Sequence, residues 1–143
     1  MFTKLTPCMM VSDVGSTVEY YRDVLGFAFV GGVPPKSQEG VTKFDKAKPL
    51  AFAMMKQGNV EFMFMSQPGF VEELPLLRDK PIGATAELYI ELPDARQLYQ
   101  KLRNQVHVVT DLHRTFYGKE EFVIQDCNGY LLCFAGIPAE ATP

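Results

Sequence analysis

The sequence predicts an α+β fold, a single domain made of two βαβββ modules, and three observations predict it. The same order of elements occurs twice along the chain. Each copy opens with a strand that runs into an aspartate and then a helix, at Thr6–Asp13 and at Glu87–Asp94, with the same internal spacing. The chain closes on Tyr117–Gly136, which reads as a hairpin: a strand with Phe122 and Ile124 on one face, a turn at Asp126-Cys127-Asn128-Gly129, then an apolar strand to Phe134. An Asn-Gly pair between two β-rich runs is a strong hairpin signal, because both residues tolerate positive φ. The Tyr117-Gly118 pair before that hairpin is less easily explained by turn chemistry alone.

In the first module, Leu5–Val11 reads as a strand with apolar residues on both faces. If Pro7, Met9 and Val11 face a helix, then Thr6, Cys8 and Met10 face the other way. Asp13 or Ser16 caps a helix reaching about Leu25, with Val14, Val18, Tyr21 and Leu25 on one stripe. Gly26 stands where a left-handed residue ends the helix. Strands follow at Phe27–Val33, with an irregularity at Gly31-Gly32, then at Leu50–Lys56 and Asn59–Ser66. The charged, turn-rich residues 36–49 form a loop between the first two. Module one therefore covers 1–66, and a Pro- and Gly-rich connector with a short helix covers 67–85. Module two, 86–137, repeats the pattern: a strand at Ala86–Leu92, and a helix with Ala95, Leu98 and Leu102 on one face. Three strands complete it, at about Gln105–Leu112, Glu120–Gln125 and Tyr130–Ala135. Tyr20-Tyr21 in YYRDVLG sits where Leu98-Tyr99 does in LYQKLRN, after a three-residue deletion. Two modules of about seventy residues bury too little surface to stand well alone, so they are expected to pack together or across a dimer.

Composition excludes several function classes. A net charge of −3 and a pI near 5.4, without a basic run, argue against nucleic acid as a partner. Three cysteines at uninformative spacing argue against a disulfide framework and fit a reducing compartment. No stretch approaches the ~20 apolar residues that cross a bilayer, and the N-terminus has no signal-peptide pattern. A soluble, cytoplasmic protein with no membrane partner is expected.

The wording LTPCMMVSDV, then YYRDVLGF, then YGKEEFVIQDCNGYLLCF resembles the vicinal oxygen chelate superfamily, the glyoxalase/bleomycin resistance protein/dioxygenase family. Tyr20-Tyr21, Leu25-Gly26-Phe27, Tyr117-Gly118, Glu121-Phe122 and Asp126-Cys127-Asn128-Gly129-Tyr130 match the family's wording. Cys127 replaces its usual proline and Tyr130 its asparagine. The resemblance implies cupped mixed sheets, usually in a homodimer, with a small molecule held in a cup between modules. In metal-dependent members, the first and last strands of each module contribute His, Gln or Glu to a metal acting as a Lewis acid. Those positions fall here on Thr6, Glu61 (or, with a one-residue slip, Phe62), Glu87 and Cys133. His107 and His113 lie away from all four. Two carboxylates, a threonine and a thiol match nickel, zinc or iron poorly, so no cofactor is expected, with a divalent metal as the alternative.

Met10, Met55, Met63, Met65 and Tyr89 are candidates to line such a cup, or are plain core. Phe116 and Tyr117 precede a strand at its mouth. Glu61 is either a pocket carboxylate among Phe62, Met63, Phe64 and Met65 or a solvent-facing one. Glu87 is a polar anchor or a carboxylate at a wet strand edge. Cys133 reads as a small hydrophobe. The ligand-binding candidates are thus Met10, Met63, Tyr89, Phe116, Tyr117 and Cys133, and the best catalytic candidates are Glu87 and Glu61. The first expectation is a metal-free protein binding a small apolar or aromatic molecule. The alternatives are a metal-dependent lyase, isomerase or dioxygenase using Glu61 and Glu87, and a metal-free catalyst with Glu87 as general base. Light scattering at micromolar concentration is expected to return the mass of a homodimer; a monomeric mass would contradict it.

Overall fold

The computed structural model describes residues 1–139, which fall into two compact units, the first Met1–Ile82 and the second beginning at Gly83. The first unit contains β1 (Cys8–Val11), α1 (Val14–Asp23), β2 (Ala28–Val33), β3 (Phe52–Gln57) and β4 (Val60–Ser66). A short helix α2 (Gln67–Glu73) and a 3₁₀ turn at Pro75–Leu77 follow. The second unit contains β5 (Glu87–Glu91), α3 (Ala95–Leu102), β6 (His107–Arg114), β7 (Glu120–Gln125) and β8 (Leu131–Gly136). Each unit is therefore βαβββ. The sheets have the same mixed topology, in orders β1-β4-β3-β2 and β5-β8-β7-β6, with the first strand parallel to the last and the other pairs antiparallel. Among the described residues, no helix is long and apolar enough to cross a membrane.

Local chemistry explains the element ends. Of the two proposed caps, Asp13 is the one used: its carboxylate accepts the Ser16 backbone N–H at 2.8 Å. α1 closes with the amides of Val24 and Leu25 both reaching the Tyr20 carbonyl, and Gly26 then turns the chain at φ +77°. Asp94 caps α3 in the same way, accepting from Gln97 N–H at 2.9 Å. β1 begins three residues later than Leu5. Pro7 has no N–H to give a ladder, although its carbonyl accepts from Met63 at 2.9 Å. β6 starts two residues later than expected because the Gln105 amide closes the end of α3 on the Leu102 carbonyl. The irregularity at Gly31-Gly32 is a register shift between Phe29 and Gly31, and a Cβ on Gly32 would lie 2.8 Å from the Phe52 carbonyl oxygen.

The closing turn differs from the expectation. Asn128 does not take positive φ; only Gly129 does, at +93°. The Asp126 side chain organises the turn instead, with one carboxylate oxygen accepting both the Asn128 and Tyr130 amides at 2.8 Å. Gly129 N–H closes on the Asp126 carbonyl at 3.1 Å.

Each helix covers one face of its own sheet. In the first unit Tyr21 is fully buried, its ring against Phe27, Phe62 and Phe64 at 4.7–5.6 Å. In the second, Tyr99 meets Phe122 at 5.2 Å, and Phe122 stacks on Phe134. The two tyrosines aligned in the internal repeat thus do the same job. Replacing Phe64, which is fully buried, with Ala is expected to lower stability by about 3–5 kcal/mol, read from urea unfolding; a loss under about 1 kcal/mol would mean the ring is not a core element.

Candidate functional site

Strand alternation divides the residues of the second sheet between its faces. Phe122 and Ile124 turn toward α3, so Glu121, Val123 and Gln125 turn away from it. Register then places Cys133 opposite Val123, and Tyr89 opposite Cys133. On that far face a carboxylate, two phenols and a thiol converge. Tyr89 donates its hydroxyl to Glu121 Oε2 at 2.5 Å, and Tyr117 donates to the same oxygen at 2.7 Å. The Cys133 thiol points at Glu121 Oε1 at 3.8 Å. Glu121 is only 6 % exposed, whereas the Tyr89 and Tyr117 side chains are about half open to solvent, at 46 % and 54 %.

Tyr117 reaches the site because of the glycine after it. The chain folds back between Thr115 and Lys119, whose backbone groups pair at 2.8 Å, and Gly118 takes φ +85° in that turn. Phe116 next to it is wholly exposed, its ring edge-on to Tyr117 at 5.0 Å.

These contacts set the charges. Burial pushes the Glu121 carboxyl up, but the hydrogen bonds from Tyr89 and Tyr117, the charge of His113 and the Cys133 thiol together hold it below the ordinary 4.5. Glu121 is therefore an anion at neutral pH. The Tyr89 and Tyr117 hydroxyls are raised, first by their hydrogen bonds to Glu121 and then by burial, so they stay protonated donors. Burial, with the charges of Glu87 and Glu121, pushes the Cys133 thiol up to about 12.

Four of the expected site residues, Tyr89, Tyr117, Cys133 and Glu87, belong to this face. Glu87 is exposed, two residues before Tyr89, and acts through its charge on Cys133. Phe116 stands at the edge beside Tyr117. In the first unit, Met10 pairs with Met65 and Cys8 with Met63, on the sheet face turned away from α1, because Met9 pairs with Phe64 on the helix side. Met55, fully buried, pairs with Phe62 on the helix side and is core. Thr6 lies just ahead of β1, partly buried. Glu61 is neither solvated nor waiting in a pocket: Lys4 and Lys56 both ion-pair with it, and the Lys4 hydrogen bond leads in holding its carboxyl low. A cavity of about 660 Å³ in the same unit is bounded by the 36–49 loop, with Val41, Phe44 and Leu50 in its wall beside the polar Thr42, Lys43, Asp45 and Lys48. Among the described residues, no three or more His, Cys, Asp or Glu side chains are grouped to hold a metal ion.

Sequence reasoning missed Glu121 as a site residue, using it only as part of a family motif. Period-two alternation from Phe122 and Ile124 was the signal that could have found it. His113 pairs with Glu121 across β6 and β7 and helps to lower that carboxyl's pKa.

The comparisons with known proteins bear on this arrangement. The family model described as Glyoxalase/Bleomycin resistance protein/Dioxygenase superfamily matches residues 4–134. The chain belongs to this superfamily. Its fold is shared with a glyoxalase/bleomycin resistance protein/dioxygenase from Nocardioides, at TM-score 0.71 and 16% identity, covering 100% of this chain and 88% of that one. It is also similar to the bleomycin-binding protein of the bleomycin-producing Streptomyces verticillus, solved with copper(II)-bleomycin, at TM-score 0.58 and 18% identity, covering 96% and 98%. A protein of unknown function from Agrobacterium tumefaciens scores 0.68 at 18% identity, with 96% of each chain covered. No curated protein matches the sequence. At these identities the neighbours establish the superfamily fold.

The cysteines differ enough to be told apart in solution. Cys127 is exposed, Cys8 is half-buried with its thiol raised by burial and by the charge of Glu73, and Cys133 is buried. At pH 8 an aromatic disulfide reagent is expected to modify Cys127 within minutes, Cys8 more slowly, and Cys133 only once the protein unfolds. Rapid modification of Cys133 in the folded protein, located by peptide mass, would show that the Glu121 face does not bury it as described.

Proposed function

We propose that this superfamily member binds a small, largely apolar or aromatic molecule on the Glu121 face of its second sheet, without the divalent metal of its metal-dependent relatives. The observation that carries this reading is the pair of half-exposed tyrosines whose hydroxyls meet on one buried carboxylate oxygen. Binding sites combine mostly apolar walls with a few fixed polar groups. Here the phenol rings and Phe116 offer aromatic surface, while Glu121 locks the orientation of both hydroxyls. The four positions that hold metal in relatives supply poor donors in this chain. Thr6 is neutral, Glu61 is committed to two lysines, and Cys133 keeps its proton with a pKa near 12. Glu87 alone is a carboxylate without such a commitment, and one carboxylate does not make a chelate. The likeness to a bleomycin-binding protein supports a binding role for the fold without assigning that ligand to this chain.

The test uses a property of the composition: six tyrosines and no tryptophan, so intrinsic emission reports directly on the phenols. Titration with a panel of aromatic compounds is expected to change tyrosine emission equally before and after chelator treatment. Tyr89→Ala and Tyr117→Ala are each expected to weaken binding about tenfold, equivalent to ~1.4 kcal/mol. Stoichiometric divalent metal in the purified protein, lost together with ligand binding in Glu61→Ala or Glu87→Ala, would overturn the proposal.

A further inference from the structure

Buried carboxylates in this chain are neutralised in different ways. Glu120, 5 % exposed, faces α3 and has the Arg96 guanidinium. Asp126, 6 % exposed, accepts two turn amides. Glu61 has Lys4 and Lys56. Glu121 is buried to nearly the same degree as Glu120 and Asp126 and more than the partly exposed Glu61, yet the groups hydrogen-bonded to it are two phenols and a thiol, and these leave its full negative charge in place. His113, which pairs with Glu121 across β6 and β7, is an exposed imidazole whose Nδ1 is engaged with the Asp111 carbonyl. Lys119, close in sequence, is turned to Glu91 instead, at 2.6 Å.

Removing a carboxylate from water without a paired cation is costly. Against this carboxylate stand Tyr89 and Tyr117, and the exposed Phe116 ring lies edge-on to Tyr117. The negative faces of aromatic rings attract cations, and quaternary or protonated amines are held in this way by aromatic cages. Glu87, exposed on the same face, adds a second negative charge. We infer that the molecule bound on this face carries an ammonium group, which sits against Tyr89, Tyr117 and Phe116 with Glu121 as its counter-charge. This inference rests on the reading of the Glu121 face as the binding site, and it adds the chemical class of the ligand.

A pair of isosteric probes separates charge from shape: benzyltrimethylammonium, and neopentylbenzene, which replaces the nitrogen with carbon. Binding is read by tyrosine emission and by proton NMR shifts of the tyrosine rings in the intact protein. The wild type is expected to prefer the cation about tenfold, the scale of one or two cation–π contacts. Glu121→Gln is expected to erase that preference while leaving the neutral probe's affinity within about twofold. If Glu121→Gln fails to fold by circular dichroism, Tyr89→Phe serves: it removes a donor from the carboxylate, keeps the ring, and should raise the preference for the cation. Equal affinity of the two probes in the wild type, or a preference unchanged in Glu121→Gln, would overturn the ammonium assignment and leave the binding site standing. Failure of both probes to bind at millimolar concentration would overturn the site reading along with it.

Discussion

A four-stranded sheet has two faces, and each unit of this chain supplies one amphipathic helix to cover one of them. That constraint sorts nearly every side chain. Toward α1 go Met9, Phe62, Phe64 and Met55; toward α3 go Phe122, Ile124, Leu132 and Phe134. Strand alternation then sends the intervening residues to the far face, whatever their chemistry. In β4 these are Glu61, Met63 and Met65; in β7 they are Glu121, Val123 and Gln125. The candidate site is the second sheet's far face, and it exists because the near face is already occupied.

The two units solve the problem of a far-face carboxylate differently. Glu61 is met by lysines from the chain start and from the adjacent strand, which makes it a structural ion pair. Glu121 is met by hydroxyls, which satisfy its hydrogen-bonding capacity and leave its charge. A phenol that donates to a carboxylate is itself harder to ionise, so each partner stabilises the other's protonation state. The result is an anionic floor flanked by two half-exposed phenols. Cys133 is kept as a thiol first by its burial and then by the charges of Glu87 and Glu121, the same charges that make the face attractive to a cation.

Much of the fold was legible because it rests on local signals. Asp13 and Asp94 precede apolar helical stripes, and strand periodicity separates core from far-face residues within each strand. The matched order of two βαβββ units needed no knowledge of long-range contacts. The errors fell where a residue's partner lies outside its own segment. Gln105 was assigned to a strand because nothing local shows its amide closing α3. Asn128-Gly129 was read as a turn with two positive φ values, but the Asp126 carboxylate reshaped it. For Glu61 the sequence leaves a pocket and a solvent-facing position open, and it is silent on the ion pair with Lys4, which lies far ahead in the chain.

By itself the sequence determined the fold class, the order of the two modules and the membership of Tyr89, Tyr117 and Cys133 in one candidate set, since each follows from periodicity or from motif order. Only tertiary structure decided that these three meet on Glu121. Their hydroxyls and thiol come from β5, from the turn ahead of β7 and from β8, and strand register together with the Gly118 turn brings those positions together. Which carboxylate is paired with lysine and which keeps its charge is likewise a matter of register and chain path. A single residue's type is silent about both.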